Sequence, residues 1–200
     1  MAEGKIILDL CGGTGAWSRP YKEAGYDVRV ITLPNHDISS YHPPEGVYGV
    51  LAAPPCTMFS MARTVAKSPR DMAGAMVVVE HCLRIIKECQ QDGQRLKFWA
   101  LENPKARLRW FLGIPPLTFQ PFEFGDPYSK KTDVWGNFNT ELKRNPVQID
   151  ETQRKQSHLN SRELPPIPEG YKRDSNMTTR AIARSITPPG FALAFFKANK

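Results

Sequence analysis

The segment Ala53-Pro54-Pro55-Cys56-Thr57-Met58-Phe59-Ser60 offers one sulfur nucleophile directly after two consecutive prolines. Each proline sets its own φ and restricts the residue before it, so the backbone that delivers Cys56 is stiff. A thiolate in such a loop is placed to attack an electrophilic carbon. The alternative is a buried structural cysteine, since a free thiol packs well as a small hydrophobe. Two further segments carry chemistry. Cys11-Gly12-Gly13-Thr14-Gly15-Ala16-Trp17-Ser18 is a glycine-rich turn, which lets a ligand approach the backbone and offers N–H groups to its negative end. Its spacing is GGxG, not the GxGxxG of dinucleotide sites. Leu101-Glu102-Asn103-Pro104 places one carboxyl group among apolar neighbours; a glutamate that caps the next segment, or is solvated at a strand end, is the ordinary reading.

Each of these segments follows a short apolar run that reads as a strand. Lys5 to Leu10 precedes the glycine turn, Val47 to Ala52 precedes the Cys56 loop, and Lys97 to Leu101 runs into Glu102. Tyr26 to Leu33 reads as a further strand, ending without a carboxylate, and Asp37 follows it in a loop. If the strands lie parallel in one sheet, Gly12, Gly13, Gly15, Cys56 and Glu102 share a single rim, the edge at which open α/β sheets gather ligands. Ala16 to Ala24 and Asp71 to Gln90 are the expected helices. The stripe Met76, Val79, Leu83, Ile86 has the spacing of core packing.

The chain has 200 residues, 40% of them hydrophobic, and a formal net charge of +7. This length buries one good core, and the charge favours a polyanionic partner without excluding an ordinary basic surface. The apolar run after Met1 is too short for a signal peptide, and no stretch reaches the roughly 18 apolar residues of a membrane span. Four cysteines, Cys11, Cys56, Cys82 and Cys89, show neither CxxC nor zinc spacing, and four histidines form no ligand pattern. A reducing compartment, no metal and no membrane are expected. Residues 137–177 are polar and proline-containing, with an extended connector at Leu164-Pro165-Pro166-Ile167-Pro168.

Together the three segments resemble the cytosine-C5 DNA methyltransferase family. DLCGGTG looks like its cofactor motif, PPCTMFS like its proline–cysteine nucleophile motif, and LENP like its Glu-Asn-Val motif. Phe124 to Trp135 is similar to small phage-type members, and Arg184-Ser185-Ile186-Thr187-Pro188-Pro189 to the closing Asn-x-Val-Pro-Pro motif. The resemblance implies a Rossmann-like class I methyltransferase: an α/β fold with a mostly parallel sheet, helices on both faces, and a target-recognition domain that is minimal or absent. It divides the chain into a catalytic core at 1–136, a short polar insertion at 137–178 and a returning segment at 179–200. It implies a cytoplasmic enzyme, of a bacterial or phage-infected cell, that uses S-adenosyl-L-methionine and acts on double- or single-stranded DNA.

By the same resemblance Cys56 and Glu102 are catalytic. Asp9, Cys11, Gly12, Gly13, Thr14, Gly15, Trp17, Asp37, Pro54 and Ser185 would line the cofactor site. Pro55, Ser60, Arg63, Asn103, Lys130, Lys131, Thr132 and Arg184 would meet the substrate, and Met61 to Ser68 would close over the flipped base. The family's arginine motif is replaced here by Ser129-Lys130-Lys131-Thr132, which supplies charge without a bidentate fork. Lys143, Arg144, Arg154, Lys155, Arg162, Lys172 and Arg173 could track phosphates without reading sequence. An offset of one residue in the closing motif puts Arg184 beside the cofactor's sulfonium, where like-charge repulsion would be relieved by a carboxylated cofactor analogue and a carboxymethyl group would be transferred. An RNA cytosine-C5 methyltransferase and a non-catalytic nucleic-acid-binding module are the other readings.

Overall fold

The computed structural model describes residues 4–61, 68–91, 96–150, 165–167, 171 and 178–200. Its centre is a six-stranded sheet in the order β2-β1-β3-β4-β6-β5. The strands are β1 (Ile6–Leu10), β2 (Asp27–Ile31), β3 (Val47–Ala52), β4 (Phe98–Pro104), β5 (Leu117–Phe119) and β6 (Thr132–Asn137). β1 pairs in parallel with β2 and β3, and β3 in parallel with β4. β6 runs antiparallel to both β4 and β5. The chain leaves β1 toward β2 and returns on the other side of β1 as β3, so the winding reverses between β1 and β3. In doubly wound sheets the crevice opens at the carboxyl ends of the strands where the order reverses. Here those ends carry the glycine turn and the Cys56 loop.

Helices cover both faces, as the Rossmann-like expectation requires. On one face α2 (Met72–Gln91) buries Val79, Cys82, Ile85, Ile86 and Cys89 against Leu8, Leu10, Val50, Ala52 and Leu101. Cys82 and Cys89, seven residues apart, share that inner side. Of the expected stripe, Val79 and Ile86 are buried, while Met76 and Leu83 pack at its margin. On the other face α1 (Arg19–Glu23) and α5 (Pro189–Ala198) cover Ile7, Leu51, Phe98 and Ala100. Phe191 of α5 stacks on Phe119 with ring centroids 3.8 Å apart.

Three boundaries differ from the sequence reading. The helix expected from Ala16 begins only at Arg19, because residues 13–18 continue as turns. The Ser18 hydroxyl donates to Asp9 Oδ2 at 2.5 Å and caps nothing. β2 stops at Ile31, short of Leu33. β4 continues to Pro104, because β6 pairs with it as far as the Pro104–Thr132 couple; Glu102 therefore lies within a strand. Among the polar residues after β6, Asn145 N–H donates to Glu123 O at 3.0 Å and Val147 N–H to Phe122 O at 2.8 Å, so this stretch follows the surface of the core. No helix among the described residues is long and apolar enough to cross a membrane.

Candidate active site

The glycine turn is built on Asp9, the fully buried ninth residue. A β-carbon at Gly12 would run into the Asp9 carboxyl group, so only glycine lets the turn close over it. Burial pushes the Asp9 carboxyl up to about 6, against the hydrogen bonds from Ser18. Gly12 N–H donates to Asp9 O and Gly15 N–H to Gly12 O. Among the described residues the N–H groups of Gly13 and Thr14 donate to no partner. Gly13 has φ +54°, and the nearest atom to a β-carbon there is the Tyr171 hydroxyl at 4.0 Å. Two unused N–H groups on a turn with an open side suit the carboxylate of an amino-acid ligand, so the turn fits the methionine part of S-adenosyl-L-methionine. The support comes from the turn itself, because α1 is too short to contribute a helix dipole.

Several residues expected at the cofactor are placed otherwise. Trp17 is enclosed between Phe191 and Phe195 and is 2% exposed; it is a core residue. Asp9 lies beneath the turn and shapes it from below. Cys11 takes a left-handed φ of 54°, and its thiol lies against that of Cys82 on α2, which directs it into the core. Asp37 follows β2 on the same edge of the sheet as the turn; it is exposed, accepts Ser39 N–H at 2.9 Å, and is held below the usual carboxylate range by that bond. Thr14 is half-buried in the turn.

The Cys56 loop is pinned at successive carbonyls. Pro54 O accepts Asn103 Nδ2 at 2.9 Å, Cys56 O accepts Ser60 N–H at 2.8 Å, Met58 O accepts Arg70 Nη1 at 2.5 Å, and Phe59 O accepts Arg107 N–H at 3.4 Å. Phe59 is fully buried in the core on the α2 side. The loop is thus anchored by one aromatic plug and by hydrogen bonds from three other segments. Pro54 is buried, Pro55 exposed and Ser60 half-buried.

Glu102 reaches the same rim because Leu101 pairs with Ala52 in the β3–β4 register. It is 8% exposed, and burial raises its carboxyl above the ordinary value while Lys130 opposes the rise. Burial also pushes the Cys56 thiol up; Lys130 lowers it, Glu102 raises it and Arg184 lowers it. Thiol, carboxyl and ammonium therefore lie within electrostatic reach of one another. Lys130 is fixed by donating Nζ to Arg184 O at 3.2 Å, which brings the end of α4 (Thr179–Ser185) to the site.

The remaining expected substrate residues divide. Asn103 is 1% exposed and Thr132 1% exposed. The first holds Pro54, and the second donates Oγ1 to Lys130 O at 2.7 Å; both shape the site from behind. Lys131 is exposed; Ser185, expected at the cofactor, is exposed with its hydroxyl donating to Ile182 O at 2.7 Å. Arg144 pairs with Glu123 at 2.9 Å and Lys143 is exposed. Arg63, most of the loop 61–68, and Arg154, Lys155, Arg162, Lys172 and Arg173 lie outside the described residues.

Sequence reading missed three contributors. Ser18 holds Asp9. Asp126, pushed up to about 6 by burial, accepts Gly190 N–H at 3.0 Å and ties the start of α5 to the loop before β6. Tyr128, 1% exposed, lies close enough to Glu102 for their charges to interact. Nothing in their spacing marks them, because each acts through a contact distant in the chain. Among the described residues no group of three His, Cys, Asp or Glu side chains is placed to hold a metal ion.

No protein-family model matches the chain, and no curated protein matches it in sequence. The fold is similar to three solved structures. The Entamoeba histolytica methyltransferase EhMeth is 12% identical, with a TM-score of 0.40, over 81% of this chain and 63% of that one. A Spodoptera frugiperda DNMT2 mutant is 18% identical, with a TM-score of 0.40, over 74% of this chain and 54% of that one. The S. pombe Dnmt2 methyltransferase is 16% identical, with a TM-score of 0.40, over 68% of this chain and 52% of that one. The chain spans less than two thirds of the length of each.

Proposed function

We propose that the chain transfers a methyl group from S-adenosyl-L-methionine to carbon 5 of cytosine in DNA, through a covalent adduct with Cys56. The observation that carries the reading is the meeting of the Cys56 thiol, the Glu102 carboxyl and the Lys130 ammonium on the rim that also bears the glycine turn. Pure binding needs neither a positioned thiol nor a buried carboxyl group.

The turn residues Gly12, Gly13, Thr14 and Gly15 would hold the cofactor by its amino-acid end. When bound, the cofactor supplies an electrophilic methyl group. Cytosine carbon 5 is a poor nucleophile, and inside a duplex it is out of reach, so the base must be unpaired or flipped. Cys56 as thiolate adds to ring carbon 6, and the electron pair moves toward the ring nitrogen and carbon 5. Burial keeps the proton on Glu102 into a higher pH range than usual, so its O–H can donate to the ring nitrogen as charge builds there. Lys130 stabilises the thiolate in a site that otherwise disfavours it. After the methyl group is in place, a base such as a water molecule takes the carbon-5 proton, the C–H electron pair re-forms the ring double bond, and Cys56 leaves as thiolate.

The net charge of +7 suits a phosphate backbone, and a short polar segment in place of a recognition domain suits loose sequence discrimination. The test is incubation with labelled cofactor and cytosine-containing DNA or RNA, digestion to nucleosides and mass spectrometry. 5-Methylcytosine from DNA, lost in Cys56→Ala and trapped as a covalent complex on 5-fluorocytosine DNA, is the expected result. Product from the RNA only, transfer of a different group, or undiminished transfer by Cys56→Ala would overturn it.

A further inference from the structure

A cluster of large apolar side chains lies open beside the candidate active site. Trp110 is 74%, Ile114 88%, Phe111 48% and Met61 62% exposed. Single exposed apolar residues are ordinary, but three between Trp110 and Ile114, with Met61 linked to Trp110 through Arg107, mark a candidate contact surface. Three contacts fasten the cluster to the nucleophile loop: Arg107 N–H bonds to Phe59 O at 3.4 Å, the Phe59 and Phe111 rings meet edge to face at 6.3 Å, and Arg107 Nη1 approaches Met61 Sδ at 3.2 Å. Phe59 belongs to the turn that Cys56 opens, so the cluster and the thiol are held by one connected stretch of structure.

The surroundings select the occupant. From Asn103 to Phe122 the chain carries Lys105, Arg107 and Arg109 and no acidic residue. Arg109 is consumed by fully buried Asp133, which it grips at 2.6 Å; this pair holds α3 (Arg109–Leu112) rigidly against β6. Arg107 lies over the Trp110 ring at 5.5 Å and Lys105 is exposed. A rigid aromatic with cations around it and no anion among them is the composition that binds single-stranded nucleic acid, with bases stacked on rings and phosphates near cations. An apolar protein partner would not require the cations.

We propose that Arg107, Trp110, Phe111 and Ile114 form a stacking platform for unpaired bases of the DNA strand that flanks the target cytosine. The proposal rests on the reading of the neighbouring site as one that handles cytosine in DNA. It assigns strand capture to a part of the core itself, where the short polar segment leaves little surface for it.

The test uses the full chain and a fluorescein-labelled oligothymidylate, which holds no cytosine, followed by anisotropy. Trp110→Ala should weaken binding about tenfold, as loss of one base stack does, while Trp110→Phe keeps most of the affinity and Val77→Ala, at another exposed apolar residue on α2, all of it. An unlabelled dA·dT duplex of equal length should compete poorly. Unchanged binding by Trp110→Ala, equal competition by the duplex, or self-association of the wild type that Trp110→Ala abolishes would each overturn the platform. Trp110 is mostly solvent-exposed, so a thermal melt of the variant should match the wild type. If oligothymidylate binding depends on Trp110 but no nucleoside is methylated, the enzymatic reading falls and the platform stands; if methylation proceeds and Trp110 is silent, the platform alone falls.

Discussion

The side-chain amide of Asn103 donates to the carbonyl of Pro54 across 2.9 Å, joining the strand that carries Glu102 to the loop that carries Cys56. The two catalytic candidates are thus positioned by one buried hydrogen bond between the residue after Glu102 and the residue two before Cys56. Asn103→Leu leaves the Pro54 carbonyl without this donor, at a cost of about 1–3 kcal/mol in folding stability. The single-turnover rate should fall by up to about a hundredfold through misplacement of the thiol, with cofactor affinity unchanged. Urea unfolding, quenched-flow kinetics and calorimetric titration of the cofactor check the three parts separately.

Lys130 opposes the burial-driven rise of both Cys56 and Glu102, which sets the pH dependence. On the proposed mechanism the rate needs the thiolate, whose fraction grows as pH rises through the Cys56 pKa, and the protonated Glu102, lost as pH rises through its own. Lys130→Met removes the cation that lowers both, so both limbs of the single-turnover profile should move to higher pH. At neutral pH the thiolate fraction should drop about tenfold for each unit that the thiol rises, offset in the rate by the larger protonated fraction of Glu102. Lys130→Arg should retain the wild-type profile approximately. The pH dependence of Cys56 alkylation by iodoacetamide gives an independent reading of the thiol limb.

The two glycines of the turn should separate folding from ligand binding. At Gly12 a methyl group collides with the buried Asp9 carboxyl, so Gly12→Ala should cost about 1–3 kcal/mol of stability by overpacking. At Gly13 there is room, with the Tyr171 hydroxyl 4.0 Å away, and the penalty is the left-handed backbone alone, about 1–2 kcal/mol. Gly13→Ala should lower S-adenosyl-L-methionine affinity more than its stability loss suggests, because the methyl group enters the open side of the turn. Thermal melts and calorimetric titration on both variants decide this.

Asp9 makes stability depend on pH in a stated direction. Its folded carboxyl titrates near 6 against an ordinary 3.8, so the folded chain holds the proton more tightly than the unfolded chain. The contribution is complete below about 3.8 and is lost as pH rises through about 6. The wild type should therefore be more stable near pH 5 than near pH 7.5, by on the order of 1–3 kcal/mol from this group. Asp126, also raised to about 6, acts in the same direction. Asp9→Asn should flatten the dependence by the Asp9 share, read from urea midpoints across the pH range.

The sequence by itself determined the strands that matter and the chemistry at their ends. Apolar runs interrupted by Gly12-Gly13 and Pro54-Pro55 state locally that a buried strand stops and a turn begins, because proline and glycine act on the backbone within a few residues. The mostly parallel sheet with helices on both faces is an expectation carried by the resemblance of the motifs, and the alternation of strand-like and helical segments is compatible with it.

Tertiary structure alone decided which side chains face the site. Trp17 and Asp9 belong to motifs whose order along the chain suggested ligand contact, yet packing against Phe191 and Phe195 encloses the first, and the glycine turn closes over the second. The β4–β6 pairing that carries Glu102 inside a strand joins segments about thirty residues apart, as the Glu102–Val134 couple shows. The convergence of Lys130 with Cys56, Glu102 and Arg184 depends on two loops, on strand β4 and on the end of a helix returning from the far terminus. Such contacts leave no local periodicity or spacing to read, because what selects them is the burial of the whole sheet rather than the preference of any segment.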